Sequence, residues 1–169
     1  AGERIGNFEI TITPVNKESS QTTGGDSGYW TEKEKSQMLT YKVKVTYKGL
    51  DKLENVQIRY LVVYTAPGDN KNERGDSSWS RTSTQVTKGE EKVEKFATLD
   101  STEFTTKGIE NIYRENTWQG GKSQYGKAQL KGIAIKIMQE DKVLADYGKP
   151  NDMKDYWKRD ESSGEQKSH

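Results

Sequence analysis

Three of the four tryptophans in this chain of 169 residues, Trp30, Trp79 and Trp118, fall in or beside stretches punctuated by Gly or Asp. Tyr29, Tyr113 and Tyr125 stand close to them in sequence. Planar rings held on a rigid scaffold can stack on sugar faces or anchor a protein partner, so Trp30, Trp79, Trp118, Tyr113 and Tyr125 are candidate binding residues. The plainer alternative is that these rings pin long loops onto a core, since large aromatic side chains usually bury most of their area. Arg74-Gly75-Asp76 spells an integrin-type tripeptide on a predicted surface loop, which adds Arg74 and Asp76 to the candidates. A three-residue match arises readily by chance, and nothing around this one adds specificity.

Catalytic chemistry is poorly served. The single histidine is the last residue, His169, which leaves no imidazole for a structured site. There is no cysteine, hence no disulfide, thiolate zinc site or cysteine nucleophile, and no G-x-S-x-G elbow. The loop that begins at Asp69 also carries Asn70, Asn72, Glu73 and Asp76, an oxygen-rich set. Counted as a calcium loop from Asp69, however, Lys71 takes a ligand place and Arg74 the place of the turn glycine. No metal and no cofactor are expected. The 26 acidic residues supply many carboxylate pairs, but their spacing selects none for acid–base work. Lys42, Lys44 and Lys48 could supply an amide crosslink to an Asn or Asp; a solvated strand face explains them more simply. The glycine pairs at 24–25 and 120–121 lack the Lys-Ser/Thr of a phosphate loop. The chain therefore reads as a non-enzyme.

Composition sets the frame for these residues. The length suits one domain with one sizeable core. The hydrophobic share is only 30% and the mean hydropathy −1.07, but 27 basic residues against 26 acidic ones leave a net charge of +1. Low hydrophobicity without high net charge, with the apolar residues gathered in alternating runs, reads as a folded core carrying long polar loops. No basic patch has the density that phosphate backbones demand, so nucleic acid is not an expected partner. No apolar run is long enough to span a membrane. The absence of an initial methionine fits a processed secreted protein and a trimmed chain alike.

The elements that must position the candidates are strands. Residues 41–64, YKVKVTYKGLDKLENVQIRYLVVY, read as two strands on which the rest is organised. Tyr41, Val43, Val45 and Tyr47 alternate with polar residues, one face buried and one wet. Val56, Ile58 and Tyr60 begin likewise, and Leu61, Val62 and Val63 then make the second strand apolar on both faces, as in a central strand covered on both sides. Ahead of these, Phe8, Ile10 and Ile12 mark a first strand ended by Pro14. Residues 16–38 read as a polar insertion, with Thr31 and Glu34 at capping-box spacing for a short helix over 32–37. A surface loop follows at 66–76, an edge strand at 79–88, weaker strands at 92–99 and 103–106, and another polar excursion at 108–127. The closing hairpin pairs residues 129–138 with 142–147, Pro150 stops it, and a helical turn follows at 152–157. The expectation is one domain over 1–159 and a disordered tail over 160–169.

About seven or eight strands, long polar loops, a short C-terminal helical turn and no βαβ alternation select an all-β antiparallel sandwich. On residues 41–64 and the closing hairpin LKGIAIKIMQEDKVLADYG, the chain resembles immunoglobulin-like β-sandwich proteins of the bacterial surface, in particular surface or pilus-associated proteins of mucin-dwelling gut bacteria. It carries neither the cysteine pair with core tryptophan of antibody-type domains nor a pilin helix or sorting motif. The resemblance implies a non-catalytic, extracytoplasmic binding or adhesion domain, monomeric when isolated, whose partner is a host or envelope protein or a glycan. A structural subunit of a pilus or envelope assembly, and a carbohydrate-binding accessory module of a glycan-active enzyme, are the alternatives.

Overall fold

A computed structural model describes residues 2–24, 30–67, 82–118 and 120–158. Among these residues ten strands follow in order: β1 (Glu3–Ile5), β2 (Phe8–Gly24), β3 (Trp30–Tyr47), β4 (Leu53–Pro67), β5 (Thr82–Phe96), β6 (Ser101–Thr105), β7 (Ile109–Trp118), β8 (Gly121–Tyr125), β9 (Gln129–Gln139) and β10 (Lys142–Lys149). A 3-10 turn, Asn151–Asp155, comes after them. All pairings are antiparallel. One sheet runs β1-β2-β3-β7-β8, with β6 end to end with β7 along the same edge of β3; the other runs β10-β9-β4-β5.

The core lies between the two sheets, and the alternation in the sequence dictates it. Tyr41, Val43, Val45 and Tyr47 of β3 meet Val56, Ile58, Tyr60 and Val62 of β4 and Ile133, Ile135 and Ile137 of β9, all buried. Phe8, Tyr47 and Phe96 close one end with ring centroids 5.4 to 6.1 Å apart. The two strands of residues 41–64 thus form the centre of one sheet and the centre of the other. The doubly apolar part of β4 is covered on both sides as expected: Leu61 and Val63 on its outer face pack under Met153 and Trp157 of the C-terminal turn. Gly132 makes room there, because a Cβ would stand 2.5 Å from Met153 Cγ.

Three expectations are corrected. Residues 16–24 and 30–38, expected as a polar insertion with a short helix, are strand; β2 and β3 pair from Phe8↔Tyr47 to Gly24↔Glu32, with one register shift between Thr22 and Gly24. Thr31 and Glu34 lie in a ladder bounded by β2 and β7, which satisfies backbone groups all along the strand, whereas a capping box would satisfy only two donors. Pro14 does not end its strand. Its partner Tyr41 sends both N–H and C=O to Thr106, at 2.9 Å each, so the Pro14–Tyr41 pair needs no bond of its own and proline removes none. Within the excursion expected at 108–127, Ile109–Trp118 and Gly121–Tyr125 are paired strands, β7 and β8. The closing hairpin β9–β10 stands where expected, with a bulge between Val143 and Ala145. The helical turn runs through residue 158. Residues 159–169, with the tail expected at 160–169, lie outside the described residues.

Candidate binding face

Strands β2 and β3 are far longer than the core needs. Their distal halves, joined by β7 and β8, form a four-stranded arm whose two faces differ in chemistry.

The inner face is polar and closely bonded. Gln37 is buried; its Oε1 accepts from Ala128 N at 3.0 Å and from Asn111 Nδ2 at 2.9 Å. Tyr113 is only 2% exposed, and its hydroxyl donates to Glu18 Oε1 at 3.1 Å. Burial first, then the bond to Glu18 and the charges of Glu18 and Glu115, push its pKa up to about 12. Lys127 Nζ sits 5.7 Å from the Tyr113 ring centroid and 3.9 Å from Glu18 Oε1. Glu115, itself buried, is held by Lys35 Nζ at 3.1 Å.

The outer face carries the exposed apolar groups. Trp118 at 45% exposure and Ile112 at 64% alternate along β7 with the buried Tyr113. Met38 of β3 is half-buried on the same face, seated against Gly108, where a Cβ would stand 2.3 Å from its sulfur. A groove of about 700 Å³ crosses the face between Lys17, Met38 and Ile112. Nearer the tip, Arg114 Nη1 lies 3.5 Å from Glu32 Oε1. The ladder places Trp30 opposite Trp118, and Trp118 in turn opposite Gly121, so no β8 side chain lies beside the Trp118 indole in register.

Of the residues singled out from the sequence, Trp30 and Trp118 are therefore brought together as register partners. Tyr125 stands opposite Arg114, though its side chain lies outside the described residues. Tyr113 follows the plainer alternative of a packed ring: it faces inward, away from Trp118, where Glu18 and Lys127 supply partners for its hydroxyl and its π-face. Trp79, Arg74 and Asp76 lie outside the described residues. Ile112 and Met38 were missed. Adjacent apolar residues in a strand point to opposite faces, so the pair Ile112-Tyr113 already required one of them to face outward. Among the described residues, no three His, Cys, Asp or Glu side chains gather as a metal site. No helix among them is long and apolar enough to cross a membrane.

No protein-family model and no curated protein matches the chain. Among solved structures, the chain is similar to one titled "X-ray structure of Northeast Structural Genomics Consortium target SoR45", at 9% identity and a TM-score of 0.27, over 76% of this chain and 88% of that one. A likeness of that size carries no argument here.

Proposed function

We propose that this chain is a non-catalytic binding domain of the bacterial cell surface, working outside the cytoplasm, which meets a protein or glycan partner on the outer face of the β3–β7–β8 arm. The observation that carries the reading is that Trp118, Ile112 and Met38 share one face of a four-stranded platform, Ile112 and Met38 lining its groove and Trp30 standing opposite Trp118 in register. Two large apolar side chains left in water on a regular strand contribute nothing to the core, yet they offer a partner a ready contact. An exposed indole on a face that also carries the Arg114–Glu32 ion pair suits a ligand with both apolar and hydrogen-bonding surface, as sugars and protein loops have.

The immunoglobulin-like assignment belongs to the same proposal. The order β10-β9-β4-β5 sets the last two strands beside the third and fourth long ones, as strands G, F, C and C′ lie in immunoglobulin variable-type domains, while β2, β3 and β6–β7 take the places of A, B and E.

The test is a screen of glycans and extracellular matrix proteins with the wild-type protein, Trp118→Ala and Ile112→Ser. Specific binding that falls at least about tenfold in both variants, with unchanged thermal stability, is expected from loss of interface anchors. Absence of binding by the folded wild type, or binding that both variants keep, would overturn the reading.

A further inference from the structure

The far edge of β5 has a charge pattern complementary to itself. Among the described residues β5 is the last strand of its sheet, pairing only with β4, in one register interrupted only at Glu94, whose opposite residue Asn55 has φ of 54°. The other sheet ends are short or irregular: β1 has three residues, β8 has five, and β10 is bulged. The free edge of β2 beyond its β1 partner carries Pro14. Among the described residues β5 is the one strand whose free edge is long, regular and without proline, and such an edge is a template for another strand unless its side chains forbid pairing.

Its outward residues are Lys88, Glu90, Lys92 and Glu94, alternating in sign and all exposed. Charges of one sign would repel a second copy in every register, which is how edges are usually protected. Alternating charges do so only in some. With a two-fold axis at Glu91, two antiparallel β5 strands set Lys88 against Glu94 and Glu90 against Lys92, twice each. Moving the axis by one residue, to Glu90 or Lys92, sets Lys against Lys and Glu against Glu. Moving it to Gly89 leaves only the two Lys88–Glu90 contacts. Opposite charges across a strand pair attract and like charges repel, so one register stands out. Beyond Glu94 the strand turns Phe96 into the core, which limits the overlap to residues 88–94.

We propose that two copies of this chain pair through β5 about an axis at Glu91, joining two four-stranded sheets into one of eight strands. The interaction is isologous, as a two-fold axis requires, and replaces the monomer expected from the sequence. It lies on a different sheet from the Trp118 face and does not depend on that reading. One pair opposes it: Glu91 meets its own copy on the inner side of the sheet.

Sedimentation of the full chain from micromolar to millimolar concentration, at low ionic strength to limit screening, tests it. The wild type should dimerise. An acidic edge, Lys88→Glu with Lys92→Glu, and a basic edge, Glu90→Lys with Glu94→Lys, should each weaken the dimer at least roughly tenfold. An equimolar mixture of the two variants should restore it, since all four outward cross-axis pairs are then opposite in sign and Glu91 faces its copy as it does in the wild type, and the restoration also shows that both variants remain folded. Glu91→Gln should strengthen the wild-type dimer. A wild type that stays monomeric at millimolar concentration, variants that dimerise as well as wild type, or a mixture that recovers nothing would each overturn the proposal.

Discussion

Gln37 and Asn111, opposite each other in the β3–β7 ladder, jointly fasten the segment that carries the chain from one sheet to the other. Asn111 Nδ2 donates to Gln37 Oε1 at 2.9 Å and to Gly126 O at 2.7 Å, while Gln37 takes Ala128 N and gives Nε2 to Ala128 O at 3.3 Å. Both ends of the Gln37 amide, the Asn111 Nδ2 and the Ala128 backbone thus have partners in a place where water does not reach Gln37 or Ala128. Gln37→Leu keeps the volume and strands the Ala128 amide and the Asn111 side chain. Leaving a buried donor unmatched costs about 1 to 3 kcal/mol, so a loss of about 2 to 3 kcal/mol is expected in urea unfolding. A change below about 0.5 kcal/mol would show that the clamp does not hold the crossover.

Gly89 sits under the Tyr60 ring, across the β4–β5 ladder. A Cβ there would meet the Tyr60 hydroxyl at 2.1 Å and Cζ at 2.2 Å. The ring has little freedom to retreat, since it stacks on Phe104 at 5.8 Å and its hydroxyl accepts from Lys107 N at 2.9 Å. Gly89→Ala should therefore destabilise, despite alanine's smaller entropy loss on folding, by about 1 to 3 kcal/mol, the usual range for overpacking. Gly89→Ala combined with Tyr60→Leu should recover part of that loss, and thermal unfolding of the three proteins checks it.

How far these features were legible in the sequence follows from where apolar periodicity runs out. Over Tyr41, Val43, Val45 and Tyr47, and again over Ile133, Ile135 and Ile137, alternation gives face and strand together, because that side is a dry core. In the arm the inward face holds Glu18, Lys35, Gln37, Asn111 and Glu115, so both faces look polar and the period of two disappears. Those strands are held by partners far apart in sequence, such as Glu18 and Tyr113, which no local pattern announces. Trp118 was legible as an exposed ring because it lies beside Gly120-Gly121, whereas Tyr113, with the same local look, is buried. Pro14 misled for a related reason: only the direction of Tyr41's backbone bonds decides whether a proline breaks that ladder.

Three tyrosines have raised pKa values, Tyr41 by burial among them, and the two pushed furthest make stability fall at high pH. Tyr113 and Tyr147 are both nearly buried and both pushed up to about 12, Tyr147 by burial first and then by the charge of Glu3 and a hydrogen bond to it. In the unfolded chain each ionises near 10. Between about pH 10 and 12 the unfolded state has released protons that the folded state keeps, so stability is intact below 10 and declines through that window. Ultraviolet absorbance of the nine tyrosines should show a late-ionising class in the folded protein that vanishes in denaturant. Tyr113→Phe and Tyr147→Phe together should remove most of that late class and flatten the alkaline decline; titration at the ordinary pH in the folded wild type would contradict the burial of both rings.

Leu99 is a leucine where the backbone favours glycine. It lies in the turn between β5 and β6 with φ of 71°, a left-handed conformation that side chains with a Cβ adopt at a cost of about 1 kcal/mol or more. The turn is fixed from both sides: Leu99 N donates to Tyr47 O at 2.7 Å, and Asp100 Oδ2 accepts from Ala97 N at 3.0 Å. Thr98 Oγ1 ties the same turn to Gly49 O at 2.5 Å, beside Leu50. The leucine gains nothing from burial, being 67% exposed, and Leu50 next to that tie is 92% exposed. Leu99→Gly should therefore leave the fold unchanged and raise stability by up to about 1 kcal/mol, because it relieves strain without losing packing, offset in part by the greater freedom of glycine in the unfolded chain. Leu99→Ala retains the strain and should lie close to wild type. If both variants lose more than about 1 kcal/mol in urea unfolding, the side chain packs in solution and the turn is part of the core; if the glycine variant is the more stable, the exposed leucine is unnecessary for folding, and this end of the sandwich becomes a second surface to probe in the binding screen.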